Sequence, residues 1–123
     1  MAHLVGLALT WIGALGIIGI GLAYLMKNEK NAAGFGLPVL PAPEARGWWQ
    51  VKGIRDIATG VALIVWIFLA PDQLGWLMLV LALIPAGDCT IVLRNGGPAM
   101  TAFGVHGLTA AAMVLATVLL QVG

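Results

Sequence analysis

The chain has 123 residues, of which 61% are hydrophobic and only 9% charged. A soluble domain of this size cannot cover that much apolar surface, so the composition specifies an integral membrane protein. The net charge of +1 says nothing about partners, but the lack of any basic run or nucleic-acid motif argues against a nucleic-acid partner, and a single cysteine excludes an internal disulfide.

Ala2 to Met26 is the first expected span, apolar apart from His3 and Thr10. MAHLVGLAL has no basic n-region, and the apolar run far exceeds the roughly 7–15 residues of a signal-peptide core. The segment is therefore expected to remain as a helix. Gly13, Gly16, Gly19 and Gly21 thin one side of it, the pattern of a helix approached closely by another backbone.

Lys27 to Gly47, KNEKNAAGFGLPVLPAPEARG, reads as loop: prolines at 38, 41 and 43, glycines on both sides of Phe35, and mixed charge. Its apolar portion, Phe35 to Leu40, is expected to fold back onto the mouth of the helices, as an interfacial anchor or as a lid.

The second span is the demanding one. Ile57 to Ala70 is plain apolar helix of about 14 residues, roughly 21 Å, against a hydrocarbon core of about 30 Å. To cross, the helix must extend back through Asp56, Arg55 and Lys52 to Trp48 and Trp49, which suit the interface. Length alone thus forces three ionisable side chains into or against the membrane, at about 2.5–3.5 kcal/mol each near a helix centre. Something must offset that cost.

Pro71-Asp72-Gln73 is a short polar turn, and the third span begins at Leu74. Its apolar run ends at Ile84, so this helix too must continue, through Pro85 and Asp88 to about Leu93. Pro85 removes the hydrogen bond to the carbonyl of Leu81 and predicts a kink. Arg94-Asn95-Gly96-Gly97-Pro98 is a tight turn. Ala99 to Val122 then forms the fourth span, with His106 and a second set of small residues at Gly104, Gly107 and Ala111.

The expected architecture is an all-α, integral membrane four-helix bundle, a single domain over 1–123 with spans at about 2–26, 48–70, 74–93 and 99–122. With four spans, all six Lys and Arg residues fall on one side. The positive-inside rule then places the protein in the cell membrane as a multi-pass chain, both termini outside and loop 27–47 cytoplasmic.

Asp56, Asp88 and His106 lie roughly 12, 9 and 12 Å from that same cytoplasmic surface at about 1.5 Å per residue. Three ionisable groups from three helices share one layer, with Lys52, Arg55 and Arg94 at or above it. Lys52 and Asp56 are i, i+4 on one helix and can pair. Arg55 is turned about 100° from Asp56, which makes Asp88 its first candidate partner. Such a layer can be glue that fixes helix register. Convergent ionisable groups beside a proline kink also have the form of a small-molecule site.

KGIRDIATG in the second span, PAGDCTIVL in the third and AFGVHGLTA in the fourth resemble an uncharacterised family of small bacterial four-span membrane proteins, itself similar to the DoxX-like four-helix superfamily. The resemblance points to Arg55, Asp56, Asp88 and His106 and implies the four-helix fold, with no reaction attached.

The leading functional expectation is acid–base catalysis on a lipophilic small molecule, such as epoxide opening, cyclisation or isomerisation. Asp56, Asp88, His106 and Arg55 are the expected catalytic groups, and Lys52, Thr59, Arg94 and Thr109 the expected ligand-binding ones. One acid can donate a proton to a substrate oxygen while the other, held ionised by Arg55 or Lys52, or else His106, accepts one. The competing readings are a binding or assembly subunit whose polar layer is structural, and a proton-coupled transporter. Transport fits less well, because its charges are expected nearer the bilayer midplane. One cysteine and one buried histidine are too few for haem or iron–sulfur binding, so no cofactor or metal is expected. The partners are the lipid bilayer, a lipophilic small molecule and, as an option, a second copy in a homo-oligomer.

Overall fold

A 25-residue helix, α1 (Ala2–Met26), opens the chain in this computed structural model, which describes residues 1–40 and 42–123. Pro41, one of the three prolines of the expected loop, lies outside the described residues. Among those residues the regular structure is helical throughout: α2 (Asn28–Phe35), α3 (Gly47–Leu69), α4 (Leu74–Leu81), α5 (Leu83–Arg94), α6 (Ala99–Thr101) and α7 (Leu108–Val122). Pro43–Ala45 and Pro71–Gln73 are 3-10 turns, and the six residues Ala102–Gly107 between α6 and α7 are π-helical.

Three continuous segments are long and apolar enough to cross a membrane: Ala2–Met26, Pro71–Arg94 and Ala99–Val122. Large apolar side chains such as Ile12, Trp76 and Leu108 stand out from them, each more than half exposed. In water such a surface would be untenable, and the chain is a membrane protein. Helix α3 has 23 residues, about 34 Å at the usual rise, but carries Lys52, Arg55 and Asp56 in its first half.

Small residues decide how α1 and α3 meet. A Cβ built on Gly60 would lie 2.5 Å from the Ala14 carbonyl, and one on Gly53 would lie 2.7 Å from the Gly21 carbonyl. Both pairs are seven residues apart, so the contact is one straight seam of backbone against backbone. Of the glycine stripe expected to make this approach, only Gly21 is used. Gly13, Gly16 and Gly19 have nothing within 4 Å of an added Cβ. Each is rotated about 100° or more from the Ala14–Gly21 line, which leaves it on an outer face. Gly104 is likewise exposed and open.

The buried apolar residues form two clusters. Ala14, Leu63, Leu74, Met78 and Ala116 make one. Near its end of the molecule the Thr117 hydroxyl bonds the Gly75 carbonyl at 3.2 Å, joining α7 to α4, and the His3 ring nitrogen donates to the Leu120 carbonyl at 3.3 Å. Cys89, Val92 and Ala102 make the other, with Phe35 and Leu37 packed on it.

Two local expectations change. The segment 27–47 is not loop throughout, because NEKNAAGF forms α2. Its helix formers outweigh the flanking glycine and proline, and Asn31 donates to the Ala23 and Lys27 carbonyls at 3.2 and 2.8 Å, fastening α2 to the end of α1. Gly36 stops the helix in a left-handed conformation at φ 106°, open to glycine without strain. The second change is the third helix, which breaks at Ala82 rather than at Pro85 itself, between α4 and α5. The proline ring crowds the preceding turn, so the disturbance falls three residues upstream.

The turn after α5 follows its residues closely. Gly97 N–H bonds the Val92 carbonyl at 2.8 Å and Gly96 N–H bonds the Leu93 carbonyl at 3.2 Å, with Gly96 at φ 76°. This is a Schellman cap, and Pro98 after it prevents continuation.

Candidate functional site

The site is built from four segments: the ends of α1 and α2, the first half of α3, the second half of α5 and the π-helical turn. Helix α3 supplies Lys52 and Asp56. One turn apart on the same face, their Nζ and Oδ2 atoms are 2.6 Å apart, with the carboxylate the deeper of the two. The ammonium also stands over the Tyr24 ring at 4.3 Å and the Phe35 ring at 5.4 Å. A cation inside a membrane protein is thus held by a carboxylate on one side and by two aromatic faces on the other.

The π-helical turn supplies His106, which is 8% exposed. Its Nε2 lies 2.8 Å from the Phe35 carbonyl oxygen. A carbonyl only accepts, so Nε2 carries hydrogen and donates. That leaves Nδ1 to face the Oδ2 of Asp88 at 3.9 Å, longer than a direct hydrogen bond. The Asp88 side chain is 27% exposed and makes no hydrogen bond among the described residues. Lys52, Asp56 and His106 all lie within Coulombic reach of it.

Aromatic side chains close this layer from above. Tyr24 is buried, stacks on Trp49 with ring centroids 5.7 Å apart and donates its hydroxyl to the Asn31 carbonyl at 3.1 Å. The Phe35 ring sits 4.4 Å from the His106 ring and 6.3 Å from Trp49. Phe35 therefore fills space between Lys52 and His106, while its carbonyl ends α2 on the imidazole. Gly36 makes this seat available, since a Cβ there would lie 2.8 Å from the Thr101 methyl.

Of the residues singled out in the sequence, the structure brings together Lys52, Asp56, Asp88 and His106. Arg55 is exposed and outside any ion pair among the described residues, so the expected Arg55–Asp88 pair does not form. The turn that aims Asp56 inward aims Arg55 outward. Arg94 is exposed beyond the end of the layer. Thr59 and Thr109 spend their hydroxyls on their own helices, bonding the Arg55 and Val105 carbonyls at 2.8 and 2.7 Å.

Phe35 folds back onto the helices as expected of the 35–40 portion, and Tyr24 and Asn31 belong to the site without having been singled out for it. Tyr24 carried one signal, as the only tyrosine of the chain near the end of an apolar helix. Among the described residues no group of three or more His, Cys, Asp or Glu side chains is arranged to hold a metal ion. An open recess of about 470 Å³ lies away from Asp88, between the α1–α2 junction and the start of α3.

A family model described as "Domain of unknown function (DUF4267)" matches residues 14–120. No curated protein and no solved structure gives a match.

Proposed function

This chain belongs to that DUF4267 family, which carries no assigned chemistry, and we propose from its own residues that it is an acid–base site for a lipophilic small molecule. In this reading α3 is a fourth span, so that four helices cross the cell membrane in a bundle similar to the DoxX-like superfamily, and the positive-inside rule puts both termini outside. The chain is then one transmembrane domain.

The observation that carries the reading is the Asp88–His106 pair. An acid inside an apolar helix, free of hydrogen bonds among the described residues, faces an imidazole nitrogen whose ring is fixed from the other side by Phe35. With Nε2–H committed to that carbonyl, one further proton can be held by Nδ1 or by the carboxyl. At 3.9 Å the two are too far apart to share it directly, and a substrate oxygen reaching both completes the path. One member protonates the epoxide or carbonyl oxygen while the other removes a proton, from a water that attacks the epoxide carbon as its C–O bond breaks to give the diol, or from a substrate carbon in cyclisation and isomerisation. Lys52 and Asp56 act as a fixed charge pair beside the reacting groups. The Phe35 ring occupies the substrate's place, so the conformation is closed and admission requires that ring to swing aside while the Phe35 carbonyl keeps its bond to His106. Arg55, Arg94, Thr59 and Thr109 take no part.

A specific observation also favours the packing reading. The 2.6 Å Lys52–Asp56 contact and the seated Phe35 satisfy much of the layer internally, as a register device would.

The two readings separate on purified protein in lipid nanodiscs with styrene oxide as probe, diol formation being followed by mass spectrometry. Catalysis predicts turnover by the wild type that Asp88→Asn and His106→Gln each abolish while the fold persists. Absence of wild-type turnover rules out epoxide opening. Turnover that survives both substitutions removes the Asp88–His106 site.

A further inference from the structure

The recess at the junction of α1 and α2 is separate from the Asp88–His106 layer and has a different chemistry. Lys27, Lys30 and Arg46 line it, together with the amide-bearing Asn28 and Gln50 and one acid, Glu29. Among the described residues none of these three cations is in an ion pair; the pairs are Lys52 with Asp56 and His106 with Asp88. Three cations against one acid leave a net positive recess of about 470 Å³, open on one side.

Its position decides what fills it. The recess begins where the membrane-crossing helix α1 ends, at Leu25 and Met26, and so lies at the level of the lipid headgroups. Leu25 and Met26 line it beside the cations, and Met26 is 78% exposed. Apolar side chains next to a cluster of cations match the two parts of a phospholipid, acyl chain and phosphate. A free anion would satisfy the cations and leave Met26 unexplained.

We infer that this recess is a binding site for the phosphate of an anionic phospholipid, held by Lys27, Lys30 and Arg46, with the acyl chains along Leu25 and Met26. Zwitterionic lipid fits less well, because a choline group would carry a fourth cation into the same space.

The test is native mass spectrometry of the full chain, released from detergent micelles doped with phosphatidylglycerol or phosphatidylcholine. Wild type should retain phosphatidylglycerol in preference to phosphatidylcholine. The Lys27→Gln/Lys30→Gln/Arg46→Gln variant should lose that retention by roughly a hundredfold, at roughly fivefold for each charge removed near an anionic lipid. All three side chains are exposed, so the fold tolerates their replacement. Arg94→Gln, which removes one charge elsewhere, should retain the lipid better than any single Lys27→Gln, Lys30→Gln or Arg46→Gln variant. Equal retention of the two lipids, or undiminished retention by the triple variant, overturns the site. A loss with Arg94→Gln as large as that of any single variant in the recess would reduce it to net charge. Inorganic phosphate, added as a third arm, should not displace the lipid at millimolar concentration; displacement would make the recess a free-anion site.

Discussion

Asp56→Asn tests the electrostatic logic of the layer most directly. The substitution keeps shape and removes one charge, leaving the Lys52 ammonium without a counter-ion 2.6 Å away. Breaking a buried ion pair from one side costs about 3–5 kcal/mol. Three features lower that figure here. The Lys52 side chain is 24% exposed, and the Asn oxygen can still accept its hydrogen bond. The Tyr24 and Phe35 faces also remain, contributing on the order of 1 kcal/mol. The net loss is therefore about 2 kcal/mol, or a fall in melting temperature of roughly 6–10 °C at about 3–5 °C per kcal/mol for a chain of this length. Thermal unfolding in nanodiscs, followed by tryptophan fluorescence, reads it, since Trp49 stacks on Tyr24 within the layer. Asp88→Asn is the internal comparison. That carboxylate makes no hydrogen bond among the described residues, so the same chemical change there should cost less than about 1 kcal/mol. The double variant Lys52→Met/Asp56→Leu should recover most of the Asp56→Asn loss, because no buried charge is left alone. An unchanged or raised melting temperature for Asp56→Asn would refute the reasoning. It would mark Asp56, rather than Asp88, as the destabilising member of a functional site.

Three further outcomes are expected. Gly60→Ala should cost about 1–3 kcal/mol by forcing α1 and α3 apart, whereas Gly16→Ala, with open space around it, should be neutral; equal effects on melting temperature would contradict the seam. His106→Leu strands the Phe35 carbonyl, at a cost of about 1–3 kcal/mol, and should speed tryptic cleavage at Lys27 and Lys30 as α2 loosens. Cleavage at the wild-type rate would show that the imidazole does not hold α2. In a Cys89→Ser background, membrane-impermeant thiol reagents should label Asp72→Cys from outside the cell and leave Lys30→Cys unlabelled. The reverse pattern would invert the proposed orientation.

What the sequence made legible is the punctuation of the helices. Gly96, Gly97 and Pro98 announce a stop, and the two backbone bonds of the Schellman cap form there. Trp48 and Pro71 likewise stand near the limits of α3. Rotation about the helix axes was much less legible. Arg55 and Asp56 are neighbours in the chain, yet one is exposed and the other buried, and only the Gly53–Gly60 seam with α1 determines which. The same limit applies to the glycine stripe of α1, where Gly21 meets α3 while Gly13, Gly16 and Gly19 face outward. Helix α2 escaped notice for a different reason. Its eight residues are too few to be stable alone and depend on Asn31, Gly36 and the His106 contact with Phe35, all supplied by tertiary neighbours. Three of the four groups that meet in the layer could be placed at a common depth by counting residues. That Phe35 would occupy the space among them could not be counted.

The π-helical turn at Ala102–Gly107 separates two jobs that an ordinary helix would bind together. In an unbroken α-helix each side chain is locked to every other by steps of about 100°. Here His106 sits within the wide turn, joined through Gly107 to the stretch Leu108–Val122 that grips α1 and α4. Removing Gly107 would restore α geometry and swing the imidazole by about 100° relative to Thr117, whose bond to Gly75 would stay where it is. The helix therefore has two independently set dials. A lineage could re-aim the polar end for a different ligand through the gain or loss of one codon, without repacking the half of the molecule that keeps it folded.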